Sequence, residues 1–126
     1  MQQLKVIGGL EAPECAVVDP ATGKIYASNM TLDPKAEGDA KFWGDDGTGS
    51  LSLLTDSKLE KLHWAKSNKT ATMHSPKGLC IVSGQLWVAD NHQVVVVDIA
   101  TGNPVKALDI PDAKFLNDMV SDGKYA

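Results

Sequence analysis

The amino-acid sequence predicts an all-β fold, a partial β-propeller, and three observations carry that expectation. Helical periodicity is nearly absent along the 126 residues, whereas short β-branched and aromatic runs recur between Gly, Pro, Asp and Asn. One hairpin pattern occurs three times: an apolar strand, a glycine turn, then a strand carrying an aromatic residue. The copies are spaced like propeller blades, with 40 residues between Lys77 and Asn117, against about 40–50 for one blade.

Residues 1–10 hold a short strand-like segment, residues 4–7, followed by Gly8-Gly9-Leu10. This reads as a lone outer strand, of the kind that closes a ring by completing its last blade. Blade 1 spans residues 11–66. Its hairpin is Pro13-Glu14-Cys15-Ala16-Val17-Val18, the turn Asp19-Pro20-Ala21-Thr22-Gly23, then Lys24-Ile25-Tyr26-Ala27-Ser28-Asn29. Glu14 and Lys77 are 63 residues apart, so this blade carries an insertion, residues 31–49, rich in Asp, Gly, Lys and Pro. A second strand pair follows at residues 50–54 and 59–65.

Blade 2 spans residues 74–111. Pro76-Lys77-Gly78-Leu79-Cys80-Ile81-Val82 turns at Ser83-Gly84 into Gln85-Leu86-Trp87-Val88-Ala89-Asp90. Residues 93–99 and 104–110 then pair through the turn Ala100-Thr101-Gly102-Asn103. Residues 115–126 begin a third blade: Leu116-Asn117-Asp118-Met119-Val120 turns at Ser121-Asp122-Gly123. Two and a half to three blades of a six-bladed ring are thus expected in one partial domain, residues 1–126. Such a piece leaves strand edges unpaired. The remaining blades are expected from a second copy, as a homodimer, or from the other half of a longer protein.

Composition narrows the function classes. A net charge of −4 argues against nucleic acid, which needs a basic face. No apolar run approaches the roughly 18 residues that span a bilayer, so no membrane partner is expected. Met1-Gln2-Gln3 leads directly into the first strand-like segment, with no leader pattern, and the compartment stays open. Cys15 and Cys80 lack metal-finger spacing and each lies in an apolar run, where free Cys behaves as a small buried hydrophobe.

Glu14, Lys77 and Asn117 occupy the same position of their repeats, at the mouth of the innermost strand. In a closed ring such positions converge on the axis, and a Glu and an Asn there could supply oxygens to a hard cation. The plainer reading stands beside it: a Glu after Pro at a solvated strand end, and Asn-Asp as a common turn pair. Lys77 would meet an anionic substrate group or point to water, and His74 lies just ahead of the ring position.

Other constellations are weaker. Asp45-Asp46-Gly47-Thr48-Gly49-Ser50 starts like a calcium loop, but the required sixth-position Gly is Ser50, and a hairpin turn is expected instead. His63, His74 and His92 share no ligand spacing, and no Gly-x-Ser-x-Gly elbow is present. Tyr26 and Trp87 occupy one strand slot and are expected to pack between blades.

The run Leu86-Trp87-Val88-Ala89-Asp90-Asn91-His92-Gln93-Val94-Val95-Val96-Val97-Asp98 resembles the NHL repeat. Pro13-Glu14 and Leu116-Asn117-Asp118 resemble the gluconolactonase and regucalcin family of six-bladed propellers. That resemblance implies one divalent cation, commonly Ca²⁺, on the central channel, with Glu14 and Asn117 as ligands and Lys77, His74 and Asp118 near a small-molecule substrate. Met119 stands where the family motif has Gly. The implied activity is metal-dependent hydrolysis of a lactone or similar ester. The alternative is a non-catalytic NHL-like propeller that binds a protein or ligand.

Overall fold

The computed structural model describes residues 2, 5–42 and 44–126. Eight strands form two four-stranded antiparallel sheets, each running in simple sequence order. The first contains β1 (Pro13–Val18), β2 (Ile25–Asn29), β3 (Ser50–Leu54) and β4 (Leu59–Lys66). The second contains β5 (Pro76–Val82), β6 (Gln85–Asp90), β7 (Gln93–Asp98) and β8 (Pro104–Asp109). These strands follow the expected segments to within about a residue. Among the described residues no helix is long and apolar enough to cross a membrane.

The two sheets repeat one register. Val17 faces Tyr26 and Pro13 faces Asn29 in the first; Cys80 faces Trp87 and Pro76 faces Asp90 in the second. Tyr26 therefore corresponds to Trp87, Asn29 to Asp90, and Glu14 to Lys77. Side chains alternate across a strand, and the core uses that alternation. Tyr26, Leu51, Leu53 and Ala65 of the first sheet form one cluster with Leu79, Leu86, Val88, Val95 and Val97 of the second. Leu86 and Val88 flank Trp87, so the second sheet meets the first with the face opposite to the one carrying Trp87. The stacking is head to tail. Each large apolar side chain buried there contributes about 1.5–3 kcal/mol, and Tyr26 adds a tilted ring contact to Trp64 at 4.9 Å.

Local turn chemistry fixes the strand ends. Asp19 accepts from the Ala21 N–H at 3.0 Å and from the Thr22 hydroxyl at 2.7 Å. Asp98 accepts from the Ala100 N–H at 2.9 Å and the Thr101 hydroxyl at 3.1 Å. Both turns end on a left-handed glycine, Gly23 at φ 73° and Gly102 at φ 76°, a conformation that glycine adopts without steric cost.

Three expected segments differ. Residues 5–10 form no ladder, since neither sheet offers them a partner strand; Gly9, at φ 92°, then turns the chain towards β1. The segment instead touches the β4 side through Lys5 Nζ, which donates to the Asp56 carbonyl at 2.9 Å. Leu4, the start of that expected strand, lies outside the described residues. Residues 115–126 contain no strand and make one bridge, Leu116 to Asn91. The loop expected as a hairpin turn at residues 45–50 instead links a short 3-10 turn, Gly38–Phe42, to β3. Cys15 and Cys80 are free thiols, pushed up in pKa first by burial, as the apolar reading expects.

Candidate functional site

The registers bring β1, β3, β5 and β7 to begin, and β2, β4, β6 and β8 to finish, at one end of the two sheets. Most of the chemistry-bearing side chains collect there. The device that shapes this end is repeated. In the second sheet the buried Asp90 carboxylate accepts from the His74 N–H at 2.8 Å, the Ser75 N–H at 2.6 Å and Gln93 Nε2 at 3.0 Å. In the first, Asn29 Oδ1 accepts from the Glu11 N–H at 3.1 Å while Nδ2 donates to Ser52 Oγ at 2.8 Å. Each Asx side chain ties the approach segment to the end of the second strand.

Lys77 is the centre of this end and is only 1% exposed. Its ammonium donates to the Ser75 carbonyl and to Asn91 Oδ1, both at 2.8 Å, and lies 4.6 Å from the centre of the Phe115 ring. Burial holds its pKa below the usual lysine range, opposed by the negative charges of Asp90, Glu14 and Asp45. The expected site residues gather around it. Glu14 is exposed and close enough to bear on the Lys77 charge. Asn117 and Asp118, both exposed, cross directly over Gly78, whose N–H donates to the Asn117 carbonyl at 2.8 Å. A Cβ on Gly78 would lie 2.5 Å from Asp118 Cα, so only glycine admits this crossing.

Sequence spacing missed a second constellation. Among the described residues, Asp45, His74 and His92 each offer a potential ligand atom, all within 4.8 Å of one another. They come from three separate loops, so no linear motif announces them. Their supports are explicit. Asn91 Nδ2 donates to Asp45 Oδ1 at 2.8 Å, the Gly47 N–H donates to His74 Nδ1 at 3.1 Å, and His92 Nδ1 meets Asp109 Oδ1 at 3.1 Å. The other nitrogen of His92, Nε2, faces Asp45 Oδ2 at 3.8 Å. Asn91 thus connects this group to Lys77.

A third group lies at the same end of the first sheet. His63 Nδ1 meets Ser50 Oγ at 2.8 Å, and its Nε2 faces Glu11 Oε2 at 3.4 Å. The order Ser, His, Glu is that of an activated nucleophile. Ser50, however, is 1% exposed, beneath the Asn29 amide, where no substrate carbonyl can approach. His63 sits at φ 52° in an irregular stretch of the β3–β4 ladder, which aims its ring along this end. No family model matches the chain, and no curated protein matches it.

Proposed function

We propose that the two sheets are adjacent blades of a β-propeller akin to the gluconolactonase and regucalcin family. On this reading their polar end is part of a divalent-metal-dependent site that hydrolyses a lactone or similar ester. The observation that carries the reading is the head-to-tail stacking. Tyr26 of one sheet meets the Leu86 and Val88 face of the next, and Trp87, the counterpart of Tyr26, lies on the far face of the second sheet. Such a heterologous contact generates a ring when its rotation closes.

Glu14 and Asn117 would hold the cation with two of the roughly six to eight oxygens it needs, the rest coming from further blades and water. The cation would supply polarisation of the ester carbonyl and a more acidic bound water. Lys77, 1% exposed and bonded to Ser75 and Asn91, would contribute its positive charge from beneath the site rather than by direct contact, and Asp118 would accept from a substrate hydroxyl. Calorimetry with Ca²⁺ on the protein and on Glu14→Gln tests this, with weaker binding expected in the variant. Unchanged binding, or robust metal-dependent lactone turnover by a verified monomer, removes the site as drawn.

A second reading, a non-catalytic NHL-like binding face, is favoured by Lys77. Its ammonium is already satisfied by Ser75 and Asn91 and gives Glu14 a positive neighbour without any metal. The reading predicts that Ca²⁺ leaves the protein unchanged in calorimetry.

A further inference from the structure

We propose that Asp45, His74 and His92 form a transition-metal site, selective for Zn²⁺-class ions over Ca²⁺ and separate from the Glu14–Asn117 position. Two imidazoles and one carboxylate are a borderline nitrogen-rich donor set, which suits Zn²⁺ or Co²⁺, whereas Ca²⁺ takes oxygen. Three protein ligands leave a fourth position open for water or a ligand oxygen.

His92 carries the argument. Asp109, as a carboxylate, can only accept, so the 3.1 Å contact places the ring proton on Nδ1. The lone pair of a neutral His92 is then on Nε2, facing another carboxylate oxygen, that of Asp45, at 3.8 Å. These two acceptors, with His74 within 4.8 Å of both, converge as donor atoms that one cation could share. The carboxylate–histidine pairing of Asp109 with His92 is the support that orients imidazole ligands at metal centres. Asp45 is held in the same way, its Oδ1 fixed by Asn91 and its Oδ2 left towards His92. The backbone of His74 is fixed by the buried Asp90 carboxylate. Each of the three loops is therefore pinned beside its ligand.

His74 gives the site a signature of its own. A neutral imidazole has one lone pair, and in His74 the Gly47 N–H occupies it at 3.1 Å. Whichever edge of the ring takes the metal, that lone pair is consumed and the Gly47 amide loses its acceptor. Metal loading thus releases the residue 44–49 loop at Gly47, with Asp45 still held by Asn91.

The test is titration of the chelator-stripped protein with Co²⁺, followed by visible absorption, and with Zn²⁺, followed by calorimetry and amide NMR. One equivalent is expected to bind, with faster hydrogen exchange and a shifted resonance at Gly47. His74→Gln and His92→Gln are expected to abolish binding at concentrations that saturate the wild type, and Asp109→Asn to weaken it about 10–100-fold. His63→Gln is expected to leave it intact. Because His92 is 39% exposed in its side chain, its variant should fold, which circular dichroism checks. The amide readout uses the unaltered protein. No binding, binding indifferent to both histidine variants, or binding with an unmoved Gly47 amide overturns the assignment. Failure of Ca²⁺ at Glu14 leaves this outcome untouched.

Discussion

Replacing Asp90 by Asn isolates the charge of the carboxylate that ties the second sheet's polar end together. The wild-type side chain is fully buried and satisfies three donors: His74 N and Gln93 Nε2 on one oxygen, Ser75 N on the other. Asn keeps one oxygen, best placed against the first two donors, and sets its amide against the Ser75 N–H. An orphaned buried N–H costs about 1–3 kcal/mol, and two bonds fall from charge-assisted strength, about 1.5–3 kcal/mol each, to neutral strength, about 0.5–1.5. Relief from burying the charge offsets part of this, leaving a loss of about 3 kcal/mol. Urea unfolding with a slope of about 1–3 kcal/mol/M should show the midpoint falling by about 1–3 M. A loss below about 1 kcal/mol at unchanged slope would refute the reasoning. The first sheet supplies the contrast: Asn29 donates there to Ser52, so an amide is the right group at that position.

Two further outcomes follow from the same end of the molecule. Gly78→Ala drives a Cβ into the backbone of Asp118 and Met119 and should cost about 1–3 kcal/mol by overpacking. It should also accelerate exchange of the Leu116 and Gly78 amides; an unaltered exchange pattern would mean residues 116–119 do not cross β5 as described. Lys77 sets a pH dependence of unusual sign. Its folded pKa lies below its unfolded one, so over the alkaline window between them the unfolded chain holds more protons and stability rises with pH. Wild-type stability measured against that of Lys77→Met should therefore increase as pH climbs through that window towards the ordinary lysine pKa. A flat or falling difference contradicts a desolvated ammonium.

The strands were legible because they carry their pattern locally, in apolar runs and glycine turns, with Asp-x-Ala-Thr-Gly closing β1 and β7. The matching of Glu14 to Lys77 was legible from repeat position alone, whereas Asn117 and Asp118 meet Gly78 through their backbone, a crossing that no repeat position announces. What was not legible is what depends on loops meeting in space. Asp45 read as part of a turn because nothing in its own neighbourhood points to His92 across the sheet junction. His63 gave no signal because its ring reaches Ser50 only through a left-handed residue in β4. The segment at residues 4–7 has strand-like composition, yet ladder formation requires a partner strand, and neither sheet offers one to its described residues.

Each sheet pairs every strand only with its neighbours in sequence, and this governs how the protein reaches its folded state. Nearly all hydrogen-bonded pairing closes over short separations, where the entropic cost of bringing segments together is small. The exception is the loop between β2 and β3, and lengthening it costs only logarithmically. Strand pairing within each sheet is therefore local, whereas the apolar contact between the sheets joins residues far apart in sequence. The Asp45, His74 and His92 group draws on both sheets' loops, so it requires the sheets to be docked. A probe bound there would report that docking rather than the pairing within either sheet.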